Sequence, residues 1–349
     1  MDASTPGVSF VIPVYQGERT LEETLSCVFS EAATRPSEIL AVDDGSSDGS
    51  LGILEAHARA GRLELLRGEG RGAAAAINLG VRRARHGMIC QIDQDVAPDP
   101  GWLERVLARL ASGSDVAAVQ GRYRTLRRDG VWARVAGLDL EMRAARLGRE
   151  VDHVCTGNTA YRKSALVAVG LFDETLGYGY DNCMSYRLGE AGHRLLTCRS
   201  ATSVHRWRPR LWHYLVQQFG VAYGRLDLVA KYPERFSGDQ VSGPGMILHA
   251  AAMTLVLALL AAGGLAWVLG SEATALVGCA LAIVAGLAAE RCVAGARAAL
   301  RSRDPAGLLF PIAHLLRDAA WVAAILVWLP RRAIRRARAP GQSMLRAGG

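Results

Sequence analysis

Through the first two-thirds of the sequence, short apolar runs rich in β-branched residues alternate with amphipathic helical stretches. Two of these runs pass directly into paired acids: Ile39–Val42 into Asp43-Asp44, and Met88–Ile92 into Asp93-Gln94-Asp95. Strands joined through helices must run parallel, so the alternation predicts an α/β sheet with crossover helices. Residues 8–15 (VSFVIPVY) read as the first strand, and 39–42, 63–66 and 88–92 as the next three. Leu21, Leu25, Val28 and Phe29 share one face of a helix over 20–31, and helices follow over 51–60 and 72–85. Farther on the pattern predicts helices over 102–110, 131–150, 164–169 and 181–191, and strands over 116–120 and 195–204. A strand and turn falls within 151–161, and a long amphipathic stretch covers 210–232.

The C-terminal third is different. Residues 247–269 run for 23 positions and residues 273–289 for 17 positions without a formal charge. The first is long enough to span a bilayer and the second is at the short limit. A third apolar stretch, 308–329, holds His314, Arg317 and Asp318, and is read as a span, an interfacial or re-entrant segment, or a buried helix. The net charge of +8 is concentrated here, with eleven Arg against two Asp over 291–349. A cationic end behind apolar segments suits an anionic membrane surface, and no aromatic-rich basic module points to nucleic acid. A two-span hairpin keeps Arg291, Arg297, Arg301 and Arg303 on the cytoplasmic side, whereas a third crossing exports RRAIRRARA against the positive-inside rule. The seven Cys include no CxxC pair, which suits a reducing compartment. The opening MDASTPGVSFVIPV has neither a basic start nor a long apolar run and does not read as a secretory signal.

The acids carry the chemistry. Beyond the carboxyl ends of parallel strands lies the ligand site of such sheets. Asp93 and Asp95 are two apart in extended backbone, so both can face one side. Two carboxylates there suit a hard divalent cation, Mg²⁺ or Mn²⁺, that borrows ligands from a substrate's phosphates. The run DDGSSDGS is turn-forming, and it lacks the downstream Glu and ligand spacing of an EF-hand. No P-loop, GxGxxG after a strand, HExxH or GxSxG is found. A third acidic position, Asp181, opens the helix over 181–191.

In order and spacing, VSFVIPVYQGERTLEETLSCV, EILAVDDGSSDGS, GRGAAAAINLGVRRARHGMICQIDQDVAPDPGWLE and CTGNTAYRKSALVAVGLFDETL, followed by GYDNCMSYRLGEAGHRL, resemble the family 2 glycosyltransferases of GT-A fold. The resemblance covers about 7–225. It implies a Rossmann-like mixed sheet flanked by helices, with C-terminal transmembrane helices added. The implied division is a catalytic domain over 1–235, a linker over 236–246, a membrane region over 247–330 and a basic cytoplasmic tail over 331–349. Pro13, Val14 and Tyr15 match the loop at the nucleotide base, and Asp43 and Asp44 match the acids at base and ribose. Arg71 and Asn78 fall in a segment near the nucleotide. Asp93 and Asp95 match the metal and sugar-nucleotide motif, and Asp181 matches the general base. Gly157, Asn158 and Arg162 match an acceptor-side turn. His205 falls where relatives place a His at the diphosphate and its metal, or it serves packing alone. Arg162 and Arg187 read as structural ion-pair partners.

The implied reaction moves one sugar, with inversion, from a nucleotide-sugar donor to a lipid-linked or glycan acceptor, with UDP the expected nucleotide. The expected setting is the inner membrane of a bacterium, with the catalytic domain in the cytoplasm; two Lys against 39 Arg suggest a GC-rich source. The chain departs from the family pattern at Tyr180, where an acid is usual, and no RW follows Gln217-Gln218 as it does in chain-extending synthases. The rival readings are a polyprenyl-phosphate sugar transferase and an inactive nucleotide-sugar binding subunit. A nucleotidyltransferase lacks support, because its Gly-rich loop and Lys are absent.

Overall fold

The computed structural model describes residues 6–241 and 243–338. One sheet holds β1 (Val8–Val14), β2 (Ser37–Asp43), β3 (Glu64–Arg67), β4 (Met88–Ile92), β5 (Val96–Pro98), β6 (Val116–Arg124), β7 (Glu150–Val151), β8 (Asn158–Arg162) and β9 (Arg194–His205). Their spatial order is β3-β2-β1-β4-β8-β6-β9-β5, with β7 on β9. The first four strands are parallel, as helical crossovers require. β8 runs antiparallel between β4 and β6, so the sheet is mixed and not parallel throughout. α5 (Val131–Ala144) packs Val135 and Leu138 against Ala298, Phe310 and Ala313 of the C-terminal helices and Leu140 against the sheet. The chain then pairs at β7 with the start of β9 and returns over 152–157 to the edge where β4 ends, so β8 begins there and runs the other way. α5 also stops at Ala144, short of the predicted 150, and β7 follows.

Alternation along β1 sets up two cores. Val8, Phe10, Ile12 and Val14 face α1 (Leu21–Ala32) and α4 (Trp102–Leu110), meeting Leu21, Leu25, Val28, Trp102 and Val106. Val11 points the other way, into a core with Ile77 and Val81 of α3 (Ala73–Arg83) and Leu188 of α7 (Tyr180–Glu190). The result is a three-layer sandwich. α2 (Ser50–Arg59) and α6 (Lys163–Ala168) complete the layers. Glu31 of α1 caps α4 by accepting from the amides of Gly101 (2.8 Å) and Leu103 (2.7 Å).

α8 (Leu211–Lys231) does not lie over the sheet. It runs against the last helix, α11 (Phe310–Arg338), where Trp328 Nε1 donates to Asp227 at 2.8 Å. With α9 (Pro244–Val268) and α10 (Thr274–Ser302) these close the C-terminal region. Three helical segments, Gly245–Val268, Thr274–Ser302 and Pro305–Ile334, are long and apolar enough to cross a membrane. α9 and α10 pair as a hairpin, with His249 Nε2 3.1 Å from Glu290 Oε2 near their charged ends. The polar residues of α11 are buried against neighbours: Arg317 meets Asp139 of α5 at 3.3 Å, and Asp318 pairs with Arg291 of α10.

The expected linker is tied down over part of its length. Asp239 accepts from Arg225 (3.0 Å) and Asn182 (3.3 Å), and the Gln240 amide donates to Asp152 at 3.1 Å. The expected basic tail is helical through Arg338, and its remainder, 339–349, lies outside the described residues.

Candidate active site

Register brings the acids together. Val14 sits beside Asp43 and Val11 beside Gln91, so β1, β2 and β4 end at one edge. β6 and β9 run in the same sense, which carries His205 to that edge as well. A cleft of about 610 Å³ opens there, lined by Pro13, Val14, Tyr15, Asp44, Asp93, Asp95, Tyr178, Tyr180 and Arg208, with the glycines of 70–72 on its floor.

Asp93 is fixed from two sides. Its amide donates to Gly157 O at 3.1 Å, and its carboxylate accepts from Gln91 Nε2 at 2.8 Å. Burial, then the charge of Asp95, then that of Asp181 push its pKa up to about 6. Burial likewise pushes Asp95 up to about 6, against the opposing charge of Arg208. Between them, Gln94 accepts from Tyr15 N and donates to Tyr15 O, both at 2.8 Å, and so locks the β1 and β4 loops together. Gly157 stands behind Asp93, and a Cβ there would lie 2.1 Å from Asp93 Oδ2. Gly157→Ala is expected to cost about 1–3 kcal/mol of stability through this overpacking, read by denaturant unfolding of the purified chain.

Among the described residues no three His, Cys, Asp or Glu side chains sit close enough to hold a metal unaided. The residues nevertheless fit a cation that draws its other ligands from phosphate oxygens. Two buried carboxylates raise each other's cost of ionisation, and a cation between them relieves it. His205 Nε2 lies 3.9 Å from Asp95 Oδ1, and its Nδ1 is buried without a hydrogen-bond partner. Burial lowers the His205 pKa to about 4, leaving a neutral imidazole able to donate a lone pair. The ring stacks on Trp207 with centroids 3.8 Å apart.

The remaining predicted positions divide. Asp44 lines the cleft, but its carboxylate already accepts from the amides of Gly70 (3.0 Å), Arg71 (3.3 Å) and Gly72 (2.6 Å). Gly72, at φ 93°, makes this close wrap possible. Asp43 is buried behind it, near Arg67 at 3.7 Å. Arg71 turns to Glu174, outside the cleft lining. Asn78 is buried and bridges Phe172 N (2.9 Å), Phe172 O (2.8 Å) and Glu174 (2.8 Å), so it braces the 172–174 segment and does not face the cleft. Asn158 is fully buried, accepting from Ser203 Oγ at 3.0 Å, and presents no open acceptor face. Arg162 and Arg187 bind backbone carbonyls rather than acids: Arg162 those of Val116, Leu110 and Gly113, and Arg187 those of Val169 and Leu171.

Asp181 lies in the first turn of α7, where the helix dipole favours an anion. Gly179, at φ 79°, turns the chain into that helix. Asp181 accepts from its neighbour Asn182 N at 2.9 Å. Burial raises its pKa and the charge of His153 opposes the rise. Burial also works against a charge on His153, but hydrogen bonding to Asp152 (3.4 Å) and the Asp239 carboxylate outweigh it and hold its pKa well above 6.5. Four contributors escaped the sequence reading: Gln94, Tyr178, His153 and Arg208. Tyr178 packs on α8, where a Cβ at Gly224 would meet the Tyr178 carbonyl oxygen at 2.7 Å. Arg208 is exposed at the cleft, and no ion-pair partner for it is found among the described residues.

A mixed sheet with paired acids at its carboxyl edge suits a phosphate-bearing ligand held through a cation. Residues 9–170 match the profile of Glycosyl transferase family 2, and the chain carries a family 2 glycosyltransferase domain of GT-A fold. It is similar to Glycosyltransferase AglE of Haloferax volcanii, at 29% identity, with 65% of this chain and 76% of the relative covered. It is also similar to the Pre-mycofactocin glycosyltransferase of Mycobacterium tuberculosis, at 27% identity over 84% of this chain; the match spans only 58% of that relative's length. The mannosyltransferase PcManGT of Pyrobaculum calidifontis, solved with GDP-Man and Mn²⁺, shares the fold with a TM-score of 0.58 at 20% identity, covering 94% of this chain and 88% of its own.

Proposed function

We propose that the chain is a divalent-metal-dependent, inverting glycosyltransferase that moves one sugar from a nucleoside diphosphate sugar to a lipid-linked or glycan acceptor. The observation that carries this reading is the single cleft that gathers Tyr15, Asp44, Asp93, Asp95 and Arg208, with Asp181 within electrostatic reach of Asp93. Tyr15 and the Asp44 loop receive the nucleoside. Asp93 and Asp95, with His205 beside them, hold a Mg²⁺ or Mn²⁺ ion. When bound, that ion offsets the negative charge gathering on the leaving diphosphate. Arg208 adds a fixed positive charge at the same place.

Asp181 removes the proton from the acceptor hydroxyl as its oxygen attacks the anomeric carbon. The bond to the diphosphate breaks and its electron pair leaves with the nucleotide. One displacement inverts the configuration, so an α-linked donor gives a β-linked product. The cationic end of α10, with Arg291, Arg297 and Arg301, favours an inner-membrane placement with the catalytic domain in the cytoplasm.

His153 serves as a positioning residue for this base. Its charge holds down the pKa of Asp181, which must be ionised to act. His153→Gln removes that charge, so Asp181 retains its proton to higher pH. The acid limb of kcat/KM is expected to move upward in pH, with the alkaline plateau kept; an unmoved limb contradicts the role. The reading as a whole is tested by supplying the detergent-solubilised full chain with UDP- and GDP-sugars, Mn²⁺ or EDTA, and membrane lipid extract. Metal-dependent transfer with a β-configured product by NMR is expected. Transfer undiminished by EDTA, or retention of configuration, contradicts it.

A further inference from the structure

A second cavity, of about 960 Å³, lies between α5 and the ends of α9, α10 and α11 that meet the α/β domain. It shares no lining residue with the cleft. Six arginines line it (143, 146, 291, 297, 301 and 317) against two acids, Asp139 and Glu290. Asp139 is engaged by Arg143 (2.8 Å) and Arg317 (3.3 Å), and Arg291 pairs with Asp318 and with Glu290 (3.4 Å). The side chains of Arg146, Arg297 and Arg301 are exposed and have no ion-pair or hydrogen-bond partner among the described residues. Two deeper nitrogens make no hydrogen bond: Arg291 Nε, and His314 Nε2, which lies 3.6 Å from Asp139, on residues only 2% and 6% exposed. A cavity that offers three arginines free of protein partners, with a fourth buried guanidinium behind them, suits a multiply charged anion with several acceptor oxygens.

The rest of the wall is apolar: Met142, Met246, Val293 and Phe310. A free phosphate would leave that wall uncovered, whereas a phosphate-headed amphiphile fills both parts. The charged end of the α9–α10 hairpin holds the cavity where helices long enough to cross a bilayer emerge toward the domain. Gln240 and Val241 line the cavity, and the neighbouring Asp239 binds Asn182, which follows Asp181.

We infer that this cavity binds the phosphate or diphosphate headgroup of a membrane lipid, and that this lipid carries the acceptor sugar. The acceptor role rests on the transfer reading above; the binding does not. Because cavity and cleft are separate, the phosphate is an anchor and not the nucleophile. The sugar beyond it reaches over the 239–241 loop toward Asp181.

The test uses the full chain in detergent micelles, without nucleotide sugar, titrated with a long-chain polyprenyl phosphate and read by native mass spectrometry. Binding is expected to fail with the matching polyprenol, and inorganic phosphate and pyrophosphate are expected to compete weakly. The R297A/R301A variant is expected to bind at least about tenfold more weakly, and R297K/R301K to recover most of the loss. Equal binding of polyprenol, undiminished binding by R297A/R301A, or competition by inorganic phosphate at lipid-like concentrations would each overturn the assignment. If lipid binding is as expected but no sugar transfer is found, the transfer reading falls and this site stands.

Discussion

Asp181→Asn is expected to lower kcat by about 10²–10⁴-fold, the usual contribution of a general base, while the donor Kd stays within about twofold. The amide has the shape of the carboxylate, and its oxygen can still accept from Asn182 N, held at 2.9 Å. What it loses is the ability to take a proton. The substitution also has a stability consequence of opposite sign. Burial raises the folded pKa of Asp181 above its unfolded value, so its ionisation favours unfolding. That group stabilises the fold below the unfolded pKa and loses the contribution as pH rises through the folded one. Asn mimics the protonated form at every pH, so the variant is expected to melt at or above the wild-type temperature at neutral pH. A dead enzyme that is no less stable marks a group held in place for chemistry. A mild loss of kcat would instead indicate an acceptor that is already ionised, such as a phosphate oxygen.

Asp95→Ala is expected to lose donor binding by at least about 10²-fold in the presence of Mn²⁺, with little difference between Mn²⁺ and EDTA, because the variant has lost the carboxylate that couples cation to diphosphate. Isothermal titration with nucleotide sugar reads this directly. The same pair sets a pH dependence. Asp93 and Asp95 are pushed up to about 6, so protons compete with the cation below that pH. Mn²⁺-dependent donor affinity is therefore expected to fall from pH 7 to pH 5 in the wild type. Near-full activity of Asp95→Ala in the presence of a chelator would remove the metal role altogether.

The fold was legible where periodicity carries direction. β1, β2 and β4 alternate or run apolar, and the helices between them force parallel pairing. The reversal of β8 was not legible, because it depends on the two-residue β7 pairing with the start of β9 and on the return of 152–157 to the edge where β4 ends. β5 and β7, three and two residues long, are too short to show a period. At the site, Asp93 and Asp95 could be read because an apolar strand delivers them. Asn78 and Arg71 misled for a tertiary reason: both turn toward the 172–174 segment, including Glu174, about 100 residues away. His153 and Arg208 carry no motif and acquire meaning only when their loops fold beside Asp181 and Asp95.

The same logic applies at the membrane end. His314, Arg317 and Asp318 made the last apolar stretch ambiguous as sequence. In the structure the charge of Arg317 is taken up by Asp139 of α5 and that of Asp318 by Arg291 of α10, with His314 3.6 Å from Asp139, which lets a long apolar helix carry them. The ion pairs also fasten the α/β domain to those helices, since Arg134 of α5 reaches Asp304 at 2.8 Å.

A structure of the full chain with Mn²⁺ and an unhydrolysable nucleotide-sugar analogue tests the central claim most directly. The account predicts the diphosphate between Asp95 and Arg208, with the anomeric carbon open toward Asp181. A donor bound outside this cleft, or one whose anomeric carbon faces away from Asp181, would contradict it.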